Sequence, residues 1–321
     1  MIPKTIQTWQ MTEPGKLVRT EIPVPALGPG EALVEIRGCG VCHTDLSYFY
    51  MGVPTIQKPP LSLGHEISGV VVASDEPLML GKEVIIPAVL PCNSCEICKS
   101  GRGNRCLAQK MPGNSMGIYG GFSSHIPVPA KDLCVVHDRK GIPLEHLSVV
   151  ADAVTTPYQA AKRANLQPGD RVIVIGAAGG VGSFMTQTAK GFGAKVVIGI
   201  DINDEKLEFM KGYGADAVIN PKGKSAKEVK ELFKAICKEK GVPSNYGWKI
   251  FEVTGTKPGQ ELALSLLSFV GMLVVASTDV LMLKIIQPLL NNIGAVDAEQ
   301  MKYLPFMLVG IGPEVLGYYF V

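Results

Sequence analysis

The chain has 321 residues, of which 46% are hydrophobic and 19% charged, with a formal net charge of +2. That length supports two domains with buried cores, and the near-neutral balance leaves no electrostatic footprint for nucleic acid or an anionic membrane. The opening MIPKTIQTWQ lacks the apolar core of a signal peptide, and no apolar run reaches about 18 residues, so a cytoplasmic protein without a membrane span is expected.

Residues 1–145 carry short β-type runs at Ala32–Ile36, Gly69–Ala73, Glu83–Pro87, His125–Val128 and Leu133–Val136, separated by Gly, Pro and Asn clusters. No long stretch of helical period interrupts them, which predicts a β-rich domain. Two segments in it carry metal-type residues, GCGVCHTD at 38–45 and GHE at 64–66. A zinc site that does chemistry uses three protein ligands and keeps one position open. Cys42 and His65 are candidates, but they lie on separate segments. By themselves they fit a buried thiol and a core histidine as well as they fit a metal site.

Residues 92–106 read CNSCEICKSGRGNRC and hold four of the chain's 8 cysteines. In a secreted chain such cysteines form a disulfide framework; in a cytosolic one they bind metal. The Cys-x2-Cys-x2-Cys-x7-Cys spacing predicts a closed, structural zinc at Cys92, Cys95, Cys98 and Cys106. Two-residue gaps aim successive sulfurs at one centre, and the Ser100–Asn104 loop returns the chain for the fourth.

Residues 146–280 have a different character, which begins near Pro143. Helix is predicted at Ala151–Ala164, then strand Arg171–Ile175, helix Gly179–Phe192, strand Lys195–Asp201, helix Asp204–Gly212 and strand Ala217–Asn220. Helix Ser225–Lys240, strand Trp248–Val253, helix Gly259–Leu267 and strand Gly271–Ala276 follow. Such alternation predicts an α/β domain with a parallel, doubly wound sheet. Gly176–Gly182 reads GAAGGVG at a strand–turn–helix junction, the setting in which glycines admit a dinucleotide pyrophosphate to a helix N-terminus. Ala177, Gly179, Gly180, Val181 and Gly182 are its candidate contacts. Asp201 ends the next strand, where a carboxylate accepts from the adenosine ribose 2′-OH and repels a 2′-phosphate, favouring NAD over NADP.

Taken in order, GCGVCHTD, GHEISGVV, the four-cysteine loop and the Gly-rich turn resemble the medium-chain zinc alcohol dehydrogenases over about residues 5–276. The resemblance implies an N-terminal GroES-like catalytic domain, a Rossmann domain, a catalytic and a structural zinc, NAD, and oxidation of a small-molecule alcohol. Cys42 and His65 correspond to the first two catalytic ligands and Asp152 to the third. Glu66 corresponds to an exchangeable or outer group, with Asp45 orienting His65. Thr44 matches the hydroxyl that takes the alcohol proton. Ser47 stands where many members have the histidine that ends the proton relay, which leaves water or Tyr48 as other exits. His43 would flank the pyrophosphate, Lys206 the adenosine ribose, and Thr156 and Val181 the nicotinamide, although packing accounts equally for the last two. Within the family, stretches such as LSYFYMGVPTIQKPPLSLGHEISGVVVA and VVADAVTTPYQAAKRA resemble members that oxidise a ring secondary alcohol carried on a coenzyme A thioester in anaerobic aromatic degradation. Lys58, Lys99, Arg102 and Arg105 are candidate partners for its phosphates. A homo-oligomer, dimer or tetramer, is also implied.

Other readings stay open: a general dehydrogenase of small or aromatic alcohols, a zinc-free quinone reductase sharing GAAGGVG, and a zinc- and NAD-binding protein without turnover. Residues 281–321 form an atypical tail. It is apolar without a clear period and is equally a diverged ending, a truncation or an out-of-frame reading. A sheet lacking its last strand would leave an apolar edge open and lower the stability.

Overall fold

An antiparallel hairpin opens the first unit (Met1–Thr155), with β1 (Thr5–Glu13) and β2 (Lys16–Pro23) turning at Gly15, φ 83°. The computed structural model describes residues 2–276 and 308–311. Ile6, Thr8 and Gln10 alternate inward along β1, whereas β2 has no buried residue, so it shows no period-2 hydrophobic signal and was not expected from sequence. Next come β3 (Glu31–Gly40), helix α1 (His43–Met51), β4 (Leu61–Ser62), β5 (Glu66–Ser74), β6 (Glu83–Ile86), the short α2 (Glu96–Lys99), β7 (His125–Pro129) and β8 (Cys134–Val135). They form a three-stranded sheet, β2-β1-β4, and a five-stranded antiparallel sheet, β7-β3-β5-β6-β8. Ala32, Val34, Ile67, Val71, Val84, Ile86, Ile126 and Val128 fill the core of the latter. This is the expected antiparallel N-terminal domain.

Helix α1 escaped the sequence reading because it has no single apolar stripe: Thr44, Asp45, Ser47 and Tyr48 are buried while Leu46, Tyr50 and Met51 are exposed. A capping box starts it, with Asp45 Oδ2 accepting from Cys42 N, and Gly52 at φ 64° ends it. The predicted helix Ala151–Ala164 begins only at Thr155, and the chain before it takes another form. A 3-10 segment, Leu144–Ala151, lies against β3 and β5, where Ser68 Oγ donates to Leu144 O at 2.7 Å. Asp152 then breaks the helical path with φ −139°, ψ −64°, before α3 (Thr155–Arg163) begins. That break is what turns Asp152 out of a helix.

In the second unit, Thr156–Val321, strands and helices alternate as β9 (Arg171–Ile175), α4 (Gly180–Gly191), β10 (Val196–Ile200), α5 (Asp204–Lys211), β11 (Ala217–Ile219), α6 (Ala226–Glu239), β12 (Trp248–Glu252), α7 (Lys257–Leu266) and β13 (Met272–Ala276). These match the predicted elements within two residues at each end. All strands pair in parallel, in the order β11-β10-β9-β12-β13-β14. Both faces are buried, one by Ile173, Ile198, Trp248 and Ile250 with Phe233, the other by Val172, Val174, Val197 and Phe251. The sixth strand, β14 (Leu308–Ile311), pairs in parallel with β13, so the condition under which the β13 edge would stand open is not met. The rest of the tail, 277–307 and 312–321, lies outside the described residues. Among the described residues, no helix is long and apolar enough to cross a membrane.

Candidate active site and metal centres

The first unit brings three separated segments to one point. Cys42 lies at the N-cap of α1, His65 immediately precedes β5, and Asp152 follows the 3-10 segment. Their Sγ, ring nitrogen and carboxylate oxygen all lie within 4.8 Å of one another. Asp152 Oδ2 is 3.7 Å from Cys42 Sγ and 3.3 Å from His65 Nε2. One soft, one borderline and one hard donor around a common point suit a three-ligand zinc with an open fourth position.

Behind these ligands, Asp45 is buried and tied to both N-terminal segments. Its Oδ2 accepts from Cys42 N at 3.0 Å, and its Oδ1 accepts from Gly64 N at 2.9 Å. The same Oδ1 faces His65 Nδ1 at 3.5 Å, within ion-pair range but without hydrogen-bond geometry. Burial favours the neutral His65 ring, yet its contacts to Asp152, Asp45 and Cys42 outweigh burial and hold its pKa well above the ordinary range. A divalent cation held by these residues would take the place of that proton.

Glu66 does not join the three. Its Oε1 accepts from Ala153 N at 3.2 Å, and its other oxygen packs over Gly40, where a side chain has no room. Burial, then the Asp152 charge, raises its pKa to about 7. Thr44 is buried, and its Oγ1 lies 3.7 Å from Sγ of the half-buried Cys42. Ser47 is 3% exposed and its Oγ has no hydrogen-bond partner among the described residues, while the Tyr48 hydroxyl accepts from the buried Asn114 Nδ2 at 2.7 Å. The sequence placed Ser47 or Tyr48 at the outlet of a relay; both hydroxyls are instead turned into the interior of the unit. Cys39, the other half of the Cys-x2-Cys pair, has its thiol pushed up to about 12, first by burial and then by Asp45. It is a protonated core thiol.

The four-cysteine lobe closes on itself. Sulfur–sulfur distances are 3.4 Å for Cys95–Cys98 and 3.9 Å for both Cys92–Cys98 and Cys95–Cys106. A tetrahedral zinc with Zn–S bonds of about 2.3 Å needs sulfurs about 3.8 Å apart. No described cysteine is in a disulfide. Backbone amides aim at the sulfurs: Cys95 N donates to Cys92 Sγ, and Cys92 N and Ala108 N donate to Cys106 Sγ, each at 3.4 Å. The donors on Cys92, Ser94 first, pull its thiol down to about 5, while burial and the neighbouring Cys95 push the Cys98 thiol up to about 12.

In the second unit, Gly176 sits at φ 88° between β9 and α4, and Gly182 packs on its carbonyl oxygen, where a Cβ would lie 1.9 Å away. Ala177 is buried, Gly179 and Gly180 are exposed, and Val181 and Thr156 are half-buried. Asp201 Oδ2 accepts from Ala178 N at 3.0 Å, which ties this carboxylate to the Gly-rich turn. Its Oδ1 accepts from Ile202 N at 2.7 Å and Asn203 N at 3.3 Å, so of the about four lone-pair sites of a carboxylate one is left for a ribose hydroxyl. Lys206 is exposed on α5, and His43 is exposed on α1 of the first unit.

Residues 28–138 match the Alcohol dehydrogenase GroES-like domain family, and residues 180–291 match the Zinc-binding dehydrogenase family. The chain belongs to the medium-chain zinc alcohol dehydrogenases. An alcohol dehydrogenase of Geobacillus stearothermophilus is 36% identical over 206 residues, 63% of this chain and 59% of that protein. An NAD-dependent alcohol dehydrogenase of Sulfolobus acidocaldarius is 34% identical over 213 residues, 64% of this chain and 61% of that protein. The chain thus spans about three-fifths of the length of the curated relatives it matches. Among solved structures, the alcohol dehydrogenase of Thermotoga maritima superposes with a TM-score of 0.77 at 24% identity, covering 96% of this chain and 84% of that one. An NAD-dependent alcohol dehydrogenase gives 0.76 at 25% identity, with 95% and 84% covered. Among the described residues, two groups could hold a metal ion, Cys42 with His65 and Asp152, and the four cysteines Cys92, Cys95, Cys98 and Cys106.

Proposed function

We propose that this chain is a zinc- and NAD-dependent dehydrogenase that oxidises a secondary alcohol to a ketone. The convergence of Cys42, His65 and Asp152 within 4.8 Å, from three segments far apart in sequence, is the observation that carries the reading. When bound, zinc supplies a Lewis acid that lowers the pKa of an alcohol hydroxyl, and NAD supplies the hydride acceptor. The alcohol gives up one hydride and one proton. Thr44, whose hydroxyl lies beside Cys42, is the group we propose to receive that proton. Asp45 keeps His65 and Cys42 in position, and Glu66 holds the Asp152–Ala153 turn through Ala153 N. Asp201 selects NAD, because a second negative group on the ribose would be repelled. The zinc donor set argues against the zinc-free quinone reductase reading.

For the substrate we propose 6-hydroxycyclohex-1-ene-1-carbonyl-CoA, on the sequence stretches quoted above and on the cationic side chains Lys58, Lys99 and Arg102, all exposed. The working form is proposed to be a homo-oligomer, which sedimentation would reveal. Zinc content and NADH formation test the activity. Two zinc per chain, with one zinc and all turnover lost in Cys42→Ala while the fold is kept, is the expected result; full turnover in zinc-free protein would sink the reading. Higher kcat/KM on ethanol or benzyl alcohol than on the thioester would remove the substrate assignment alone.

A further inference from the structure

One fully buried carboxyl group takes no part in the chemistry above. Glu252 ends β12 and continues the inward row of Trp248 and Ile250. Its register partners are Ile175 on β9 and Val275 on β13, both buried and apolar. Its Oε2 has no hydrogen-bond partner, and among the described residues no cation pairs with it. An acid in such surroundings is costly to keep, so its other oxygen has to account for its presence.

That oxygen clamps one residue twice. Oε1 accepts from Thr254 N at 2.8 Å and from the Thr254 hydroxyl. Thr254 Oγ1 also accepts from Thr256 N at 3.1 Å, and Thr256 Oγ1 accepts from Gly259 N at 3.2 Å as the N-cap of α7. The far side of this turn meets the Gly-rich turn. A Cβ at Gly176 would lie 2.8 Å from Thr254 Cγ2 and 3.3 Å from Thr254 N. Gly176 is therefore held between Thr254 on one side and Gly182 of α4 on the other. Strands β9 and β12 are neighbours from which the chain leaves in opposite directions across the sheet, the switch point at which open parallel sheets bind ligands.

We propose that Glu252 is a positioning residue for the dinucleotide site: it fixes Thr254, and Thr254 fixes the wall against which the Gly176–Gly182 turn is set. The inference rests on the NAD reading above. A leucine at 252 would fill the apolar space but release both Thr254 donors. A glutamine keeps the accepting oxygen. Burial pushes the Glu252 pKa up against the pull of Thr254 and Gly255.

The test is NADH titration of the full chain, with thermal unfolding recorded alongside. Glu252→Leu and Thr254→Val are expected to weaken NADH binding about tenfold, the effect of one lost buried hydrogen bond. Glu252→Gln should stay within about twofold of wild type. Val229→Ala, a change on α6 in the core that Ile175 and Val275 also line, should lower Tm and leave NADH affinity alone. Wild-type affinity in Thr254→Val overturns the proposal even if Glu252→Leu fails to fold, as does an equal loss of affinity in Val229→Ala. Failure of the wild type itself to bind NADH removes the dinucleotide reading, and the inference with it.

Discussion

Replacing Asp45 by alanine would take one carboxylate from behind two zinc ligands. In the folded chain that group satisfies Cys42 N at 3.0 Å and Gly64 N at 2.9 Å and faces His65 Nδ1 at 3.5 Å. Two consequences separate. Unpaired buried amides cost about 1–3 kcal/mol each. Cys42 is half-buried, so water can reach its amide, and the low end applies there; Gly64 is buried and takes the high end. The fold should therefore lose about 2–4 kcal/mol. Independently, loss of the group orienting a ligating histidine lowers metal affinity about 10–100-fold. Competition with a chelator, read as zinc per chain, measures the second effect, and the four-cysteine zinc serves as an internal reference that should not move. Asparagine at 45 keeps one acceptor and should fall between wild type and alanine. If Asp45→Ala kept both zinc ions at wild-type affinity with an unchanged Tm, the account of how the ligands are held would be wrong.

Three further outcomes follow from other parts of the molecule. Val270 is a β-branched residue at φ 52° and 50% exposed, so Val270→Gly should raise Tm by a few degrees: relief of about 1–2 kcal/mol of backbone strain exceeds the entropy glycine adds to the unfolded chain. A fall in Tm would show that its side chain matters more than its backbone. Asp201→Asn keeps the shape of the side chain and removes its charge, so the preference for NAD over NADP should shrink about tenfold or more in paired kcat/KM measurements; an unchanged ratio would place the discrimination elsewhere. The folded-state pKa of Glu252 is raised by burial, so its contribution to stability is present below the unfolded carboxylate range and is lost as pH rises toward the folded value. The Tm of Glu252→Gln should accordingly gain on that of wild type as pH increases, and a gap that stays flat with pH would argue against ionisation of a buried acid there.

Much of the second unit was legible because its signals are local. Runs such as Val196–Ile200 and Met272–Ala276 are apolar over a strand's length, and helices such as Ala226–Glu239 carry their own cap and amphipathic stripe. In the first unit, the polar β2 and the stripe-less α1 have no such period, and only pairing and capping contacts define them.

The two metal centres divide along the same line. The structural set lies within fifteen consecutive residues, so Cys92–Cys106 determined it by spacing alone: short gaps leave the sulfurs few places to go. The other set spans 110 residues from Cys42 to Asp152, and no local rule connects them. Asp152 reaches His65 because Leu144–Ala151 lies against β3 and β5 and then breaks its helical path at Asp152. Glu66 shares the neighbourhood in sequence but is bonded to Ala153 N instead, and Ser47 is turned inward, where burial rather than residue type sets what its hydroxyl can do. Sequence supplied the donor types; which of them share one point was decided by long-range packing, because that depends on where strands far apart in the chain bring their ends.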